Sequence, residues 1–248
     1  MDRARTRTVP GAERRKPGTR DGRRRSAGAP WRGKLLVAGA ALALAMTAPG
    51  AVAADGPLDH AQALAALGQG AAESRRLGVD RLGEIGTMAD ADRLVARLRD
   101  ADEQVRALAA ASLWRIWSRS GDAQIDALLQ RGVGQMSAGE LEAALATFSE
   151  VIDRRPAFAE GWNKRATVYF MLGQYARSLH DCDEVIRRNP NHFGALSGYG
   201  EIYTRLGDFD RAIDYFKRAL AINPNLPGVA ASIPLLEKAR SEARRRMI

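Results

Sequence analysis

The side chains best suited to catalysis or metal binding are few in this sequence, and their spacing does not favour joint action. His180 and Cys182 form the one close His/Cys pair. On a helix, residues two positions apart point to different faces, so this pair cannot act as base and nucleophile. His60 and His192 lie far from it in sequence, which predicts surface histidines rather than the ligands of a metal ion. We therefore predict no catalytic residue, no metal site and no cofactor.

Other polar and glycine motifs indicate structure rather than chemistry. Gly198-Tyr199-Gly200 resembles part of a nucleotide-binding loop, but it lies in a helical pattern with no strand before it. Asp208 and Asp210 flank a turn, where carboxylates favour the N-terminus of the following helix. Cys182 is the single cysteine, so the chain cannot form an internal disulfide, and the residue is predicted to be buried.

A regular repeat organises the second half of the chain. Pro156, Pro190 and Pro224 are evenly spaced along it. A glycine precedes each proline at a constant distance, and small and large apolar residues recur in register. The recurring positions are Gly139, Gly173 and Gly207; Gly132, Ala166 and Gly200; Ala144, Ser178 and Ala212; and Phe148, Cys182 and Phe216. So many matched positions indicate a repeated structural unit.

Each unit is predicted to be a helical hairpin. Small residues let its two helices approach closely, and large apolar residues fill the space around that contact. The glycine ends the first helix in a conformation that disfavours a Cβ, and the proline cannot continue the second helix. One hairpin cannot bury its apolar face alone, whereas stacked hairpins can. The predicted fold class is therefore all-α, an α-solenoid of stacked hairpins.

These units resemble the tetratricopeptide repeat (TPR) family, whose pattern is W-x2-L-G-x2-Y…A-x3-F…P. The second unit matches the pattern at Trp162, Ala166, Tyr169, Ser178 and Pro190, and has Cys182 in place of the aromatic residue. The third unit matches it at Leu196, Gly200, Tyr203, Ala212, Phe216 and Pro224. The resemblance implies three TPR units over residues 121–226, followed by a capping helix over 227–248.

In this family the first helix of each hairpin lines a concave groove that binds a segment of another protein. The resemblance therefore implies a non-catalytic scaffold with a protein or peptide partner. The groove positions that it implies are Leu129, Val133 and Met136; Asn163, Thr167 and Phe170; and Ser197, Glu201 and Thr204, beside Asp126, Glu160 and Gly194. Hydroxyl, amide and carboxylate groups among them are expected to bond the partner's backbone.

Two details of this groove qualify the resemblance. The family's Lys/Asn clamp for a C-terminal carboxylate is not matched, because its columns carry Leu129, Val133, Asn163 and Ser197. Phe170 has two alternatives: it is an exposed anchor for the partner, or it packs under the next hairpin.

A weaker self-similarity precedes the repeats. The stretch SRRLGVDRLGEI at 74–85 aligns with VRALAAASLWRI at 105–116. This segment resembles HEAT-type helical repeats over residues 55–120, and an unrelated pair of helices is the alternative. The joint SRSGD at 118–122 is too short for a flexible linker. We therefore expect the two arrays to pack together as one continuous superhelix.

The N-terminal segment, residues 1–54, predicts export. Residues 1–34 carry 12 basic and 3 acidic side chains, which accounts for the net charge of +9, whereas residues 55–248 carry 26 of each. The folded part thus has no basic bias that would favour nucleic acid. An apolar run from Leu35 to Ala48 and the small residues of Ala51-Val52-Ala53-Ala54 complete the pattern of a cleaved signal peptide.

Three functions remain open from the sequence. With the signal removed, the chain is predicted to be a periplasmic scaffold of a bacterium. An uncleaved segment would make it an N-terminally anchored subunit of an envelope assembly, which is the one case in which membrane contact is expected. The third alternative is an enzyme with an unrecognised site.

Overall fold

The computed structural model describes residues 56–246, and every regular element within them is helical. The predicted all-α fold is confirmed. The helices are α1 His60–Leu67, α2 Ala72–Ile85, α3 Ala91–Arg97 (after a 3₁₀ turn at Met88–Asp90), α4 Glu103–Trp117, α5 Ala123–Ser137, α6 Leu141–Arg154, α7 Ala159–Met171, α8 Tyr175–Arg188, α9 Phe193–Leu206, α10 Phe209–Ile222 and α11 Pro227–Arg246. None of these helices combines the length and the hydropathy needed to cross a bilayer. The predicted signal segment, residues 1–54, lies outside the described residues.

The three predicted hairpins are α5–α6, α7–α8 and α9–α10. Each first helix ends at the predicted glycine, and Gly139, Gly173 and Gly207 have φ angles of 78°, 70° and 75°. Residues that have a Cβ rarely adopt this left-handed backbone conformation, whereas glycine adopts it at little cost and so ends the helix. Asp208 then caps α10, because its carboxylate accepts a hydrogen bond from the backbone N–H of Arg211 at 3.1 Å.

Small residues bring the two helices of a hairpin together, as the repeat pattern predicts. A Cβ added at Gly132 would lie 2.5 Å from the ring of Phe148, and one at Gly200 would lie 2.3 Å from the ring of Phe216. Both phenylalanines are at most 1% exposed. Each ring therefore occupies the space that its glycine leaves empty, and this contact sets the distance between the helices.

The four upstream helices form a core of their own. Val79 and Leu82 of α2 pack with Leu94 of α3 and Leu113 of α4, and all four side chains are fully buried. Asp102 caps α4, since its carboxylate accepts a hydrogen bond from the backbone N–H of Val105 at 2.9 Å. These contacts establish a compact helical module; its resemblance to HEAT repeats stays a prediction.

An arginine of α2 ties the α3–α4 turn to this core. Two guanidinium nitrogens of Arg75 donate to the carboxylate of Asp100 at 2.8 Å each. This hydrogen bonding lowers the pKa of Asp100 to about 2, against the opposing effect of burial. A charged, bidentate pair in a nearly buried place holds the turn in one geometry.

The upstream module packs against the repeats, as the short joint at 118–122 predicts; the continuous superhelix stays a prediction. Successive helices pack on one another from α5 to α11. The upstream core includes Phe193 of α9, and Ile222 and Leu226 pack against its edge. The tryptophans at the apolar end of α4 contact Phe193 of α9, whereas polar residues, among them Asp126 and Gln130, border the crevice between α4 and α5.

Hydrogen bonds support this unexpected interface. Arg99 donates to the carbonyl oxygen of Ile222 at 3.0 Å and to that of Ala221. Asn225 donates to the carbonyl oxygen of Leu98 at 2.6 Å, and its own Oδ1 accepts from Arg106 at 3.0 Å. The two bonds from Arg99 satisfy carbonyl groups at the end of α10 that its own ladder leaves without donors.

The helix α11 covers the last hairpin. Leu236 is 7% exposed and packs with Phe216 and Ile213 of α10. The N–H groups of Arg240 and Arg244 donate to the carboxylate of Asp210 at 2.8 Å and 3.0 Å. An end helix with one apolar side and one charged side is what a repeat array requires where no further hairpin follows.

Candidate functional site

The first helices of the three hairpins, α5, α7 and α9, form the surface that we call the TPR groove. A pocket of about 130 Å³ opens in it, bordered by α7, α8 and α9. Among the residues predicted for the groove, the pocket brings together Asn163, Thr167, Phe170 and Glu201, along with Gly194. Side chains from two hairpins thus share one concavity.

The predicted groove residues of the first hairpin lie elsewhere. Leu129 is 1% exposed and belongs to the core between α5, α6 and α7, so its prediction as a contact on the groove surface is wrong. Val133 and Met136 are half-buried and pack against the same core. This face of α5 is apolar, and α7 covers it because burying apolar surface is favourable.

The hydroxyl groups predicted to bond a peptide backbone already donate within their own helices. Thr167, Ser197 and Thr204 each donate to the carbonyl oxygen four residues earlier, at 2.9, 2.9 and 2.7 Å. Such bonds leave only the oxygen lone pairs for a partner. Thr167 lines the pocket, whereas Ser197 and Thr204 lie on α9 outside its lining.

Two ionisable side chains are buried beneath the groove. The side chains of Glu160 and His192 are both 0% exposed, and His192 Nε2 lies 3.1 Å from Glu160 Oε2. The backbone N–H of Ala195 donates to His192 Nδ1 at 3.0 Å. Since Nδ1 accepts a hydrogen bond, the ring proton belongs on Nε2, where the neutral imidazole donates to the carboxylate.

Two further side chains complete the surroundings of this carboxylate. Asn163 Nδ2 donates to Glu160 Oε2 at 3.1 Å, and Lys164 Nζ lies 3.0 Å from Oε1, outside hydrogen-bonding geometry. Burial would raise the pKa of Glu160, but the hydrogen bond from His192 and the charge of Lys164 hold it below its ordinary value. The carboxylate is therefore charged, compensated and out of reach of solvent, which suits a structural role.

The prediction that His192 lies on the surface is wrong because two tryptophans of α4 cover it. The ring of Trp117 stacks on His192 at 4.5 Å between centroids, and Trp114 meets it edge-on at 5.3 Å. Both tryptophans also contact Phe193. This aromatic cluster joins the upstream module to the start of α9, and it buries the side chain of His192.

The same module covers one half of the TPR groove. A Cβ added at Gly194 would lie 2.5 Å from Trp114 Cη2, and Lys164 Nζ lies over the Trp114 ring at 5.8 Å. Asp126, in the first turn of α5, borders a crevice shared with Arg115 of α4. These contacts fall in the N-terminal turns of α5, α7 and α9. The C-terminal turns, which carry Thr167, Phe170 and Glu201, form what we call the open half of the groove.

Phe170 combines the two alternatives that the sequence left. Its ring is half-buried and packs against Ala166, Tyr199 and Ile202, with its centroid 5.8 Å from that of Tyr175. The remaining surface of the ring lines the pocket. Phe170 therefore both supports the α7–α9 contact and presents an aromatic wall to the open half of the groove.

The pocket contains residues that sequence reasoning assigned to the hairpin interior. Ala166, Ser178 and Cys182 line it, and so do Ala195, Gly198 and Ile202. The sequence did carry a signal for this opening: Cys182 occupies the column that Phe148 and Phe216 fill in the other hairpins. A smaller side chain in that column leaves the space that an aromatic ring would take.

The cysteine in this pocket is not a nucleophile. It is 3% exposed, as predicted, and burial raises the pKa of the Cys182 thiol to about 12, with Asp181 and Asp183 adding to the effect. The thiol therefore stays protonated near neutral pH, and thiolate is the reactive form. Within residues 56–246, no group of three or more His, Cys, Asp or Glu side chains is arranged to hold a metal ion.

Comparison with known proteins supports the repeats. The tetratricopeptide repeat family model matches residues 129–181 and 165–227. A TPR repeat-containing protein of Rhizobium etli is 34% identical over 91 residues, which is 36% of this chain and 45% of that protein. The chain thus spans about half the length of this relative.

Solved TPR domains are also similar in structure. The first TPR of Spaghetti (RPAP3), bound to an HSP90 peptide, has a TM-score of 0.47 at 22% identity and covers 48% of this chain and 96% of its own. The Sgt2 TPR domain of Aspergillus fumigatus has a TM-score of 0.48 at 19% identity and covers 50% and 83%. The tetratricopeptide repeat model thus matches residues 129–227 of this chain, which include most of α5 and all of α6 to α10.

Proposed function

We propose that this chain is a non-catalytic scaffold that binds a protein or peptide segment in the open half of its TPR groove, and that it does so in the periplasm after export. The observation that carries the binding role is the pocket bordered by α7, α8 and α9. It combines an aromatic wall, an apolar floor and a few polar groups at one place. Recognition sites commonly have this composition.

The upstream module limits how a partner can lie. Trp114 and Trp117 of α4 cover the N-terminal end of α9. A long peptide therefore cannot follow the groove across its whole width. A partner in the open half would contact Phe170 and Glu201 and would stop at the edge formed by α4. We therefore propose that the partner binds as a short segment with one side chain inserted into the pocket, rather than as a long extended strand.

Phe170→Ala should weaken peptide binding by at least about tenfold and lower the free energy of unfolding by only about 1–2 kcal/mol. The ring is half-buried, so its removal costs less than the loss of a fully buried phenylalanine, which is about 3–5 kcal/mol. Aromatic anchors, by contrast, carry much of the energy of an interface. The measurement is calorimetric titration with a peptide selected from a random displayed library, beside urea unfolding.

Phe209→Ala is the matched control, because Phe209 is also half-buried but packs in the α10–α11 core away from the pocket. It should lose comparable stability and keep the affinity. Equal affinity for both variants, each folded by circular dichroism, would place peptide binding outside the pocket.

The export proposal rests on the basic, apolar and small-residue order of residues 1–54. Protein purified from the cell envelope should begin at Ala54 or Asp55 by intact-mass analysis. A product that retains Met1 to Lys34 and sediments with membranes would instead favour the anchored envelope subunit. Recovery of that full-length product from the cytosol would exclude both.

A further inference from the structure

We propose that the pocket receives an aliphatic side chain of a peptide in which the neighbouring residue is lysine or arginine. This inference rests on the proposed peptide-binding function and names the chemistry of the partner. Three independent features carry it: a cavity that the repeat pattern would normally fill, a glycine that the fold does not need, and a carboxylate with no partner among the described residues.

The cavity arises because the second hairpin has different residues from the other two at two positions of the repeat. The first and third hairpins pair a glycine with a phenylalanine, whereas the second pairs Ala166 with Cys182. A methyl group and a thiol together replace a benzyl ring, and a pocket of about 130 Å³ opens beside them. A dry apolar cavity of about 150 Å³ holds benzene, so this pocket suits a side chain of the size of leucine or isoleucine.

The glycine at position 198 keeps this space accessible. A glycine within a helix costs about 1 kcal/mol relative to alanine, so it usually has a reason in packing. Gly200 has one, since its Cβ would collide with Phe216. Gly198 has none of that kind, because its Cβ would meet Cys182 Sγ at 3.8 Å, which is ordinary van der Waals contact. The residue at 198 leaves room in the pocket, and the fold itself does not require it.

Charge complementarity indicates that the peptide residue beside the inserted side chain is basic. Glu201 is exposed and lines the pocket, which has no basic side chain in its lining within residues 56–246. Over the same residues, no Lys, Arg or His atom lies within ion-pair distance of its carboxylate; Arg205, one turn further on, is not paired with it. A lysine or arginine beside the inserted side chain would meet this carboxylate at the edge of an apolar cavity.

Asn163 provides a polar contact on the opposite side. It is 8% exposed and lines the pocket, and its Nδ2 is held by Glu160. That bond orients the amide so that the carbonyl oxygen remains available to accept a hydrogen bond. A backbone N–H of the bound segment is a suitable donor, and it would fix the position of the inserted side chain.

The test uses four acetylated and amidated octapeptides that differ only in the two central residues: Leu-Arg, Leu-Glu, Ser-Arg and Ser-Glu. Binding to the purified protein is measured by fluorescence anisotropy at two salt concentrations. We expect Leu-Arg to bind about tenfold or more tightly than Ser-Arg, because a buried leucine side chain gains that much. Leu-Arg should exceed Leu-Glu by about three- to tenfold at low salt, and by less at high salt.

Two variants and one control assign these effects to the pocket. Glu201→Lys should reverse the charge preference so that Leu-Glu binds better, whereas Glu142→Lys, an exposed glutamate on α6, should leave it unchanged. The double variant A166G/C182F restores the pair of the other hairpins and should abolish the preference for leucine. If that variant is unstable, Gly198→Leu fills the pocket from α9 instead.

The outcomes separate this inference from the proposed function. Peptides that bind without preference for leucine or for charge, and lose affinity in Phe170→Ala, would overturn the inference and leave the scaffold function standing. A charge preference that Glu201→Lys does not alter would also overturn it. Absence of binding for all four peptides would count against both.

Discussion

His192→Ala should lower the free energy of unfolding by about 3–5 kcal/mol. The substitution leaves the carboxylate of Glu160, which is 0% exposed, without its hydrogen-bond donor from the start of α9. Leaving a buried charged acceptor without its donor costs about 1–3 kcal/mol or more, because the carboxylate stays desolvated. The variant also loses the cap of α9 and the stacking contact with Trp117.

Urea unfolding followed by circular dichroism measures this loss. His180→Ala is the control, since the His180 side chain is 69% exposed, and its loss should stay within about 0.5 kcal/mol. The double variant H192A/E160A should be less destabilised than the sum of its two single changes, because it removes the uncompensated charge. A His192→Ala protein as stable as His180→Ala would show that the buried pair contributes nothing to stability.

A fragment of residues 121–248 should unfold at a temperature roughly 5–10 °C below that of residues 55–248. Without α1–α4, the ring of Phe193 and the Glu160–His192 pair become exposed to water, and Arg99 no longer binds the carbonyl groups at the end of α10. Burying one phenylalanine is worth about 2–3 kcal/mol, and each kcal/mol shifts the midpoint by several degrees in a domain of this size.

Thermal denaturation of both proteins, at equal concentration and pH, checks this expectation. Trp117→Ala in the longer protein should shift the midpoint in the same direction, since Trp117 is 3% exposed at this interface. Identical midpoints for the fragment and the longer protein would mean that the upstream module and the repeats are independent, whatever contacts they make.

The repeats could be predicted from sequence because each of their contacts is local and recurs. A glycine at 139, 173 and 207 and a small residue at 132, 166 and 200 repeat the same constraint three times, so chance agreement is excluded. The order of the hairpins, the left-handed glycines and the buried position of Cys182 all follow from that pattern. Those predictions required no knowledge of how distant parts of the chain meet.

The position of the upstream module could not be predicted, since it depends on a contact that occurs once. Nothing around His192 in sequence indicates burial; Trp117, far upstream, supplies the covering surface. The pocket could not be predicted for a related reason. In the sequence Cys182 departs from the aromatic column, but whether a smaller residue leaves a cavity or is compensated depends on the residues packed around it. Here Ala166 compensates only part of the lost volume.

The contact of Arg99 with Ile222 joins residues 123 positions apart, and it changes how this chain is expected to fold. A repeat array ordinarily has low contact order, so its hairpins can form one after another from any starting point. Here the apolar end of α4 is synthesised early and acquires its partner only once α9 and the end of α10 have emerged. Closure of this long loop is an ordering step with its own entropic cost. The core of the helices α1–α4 is thus completed only after most of the repeats have been made.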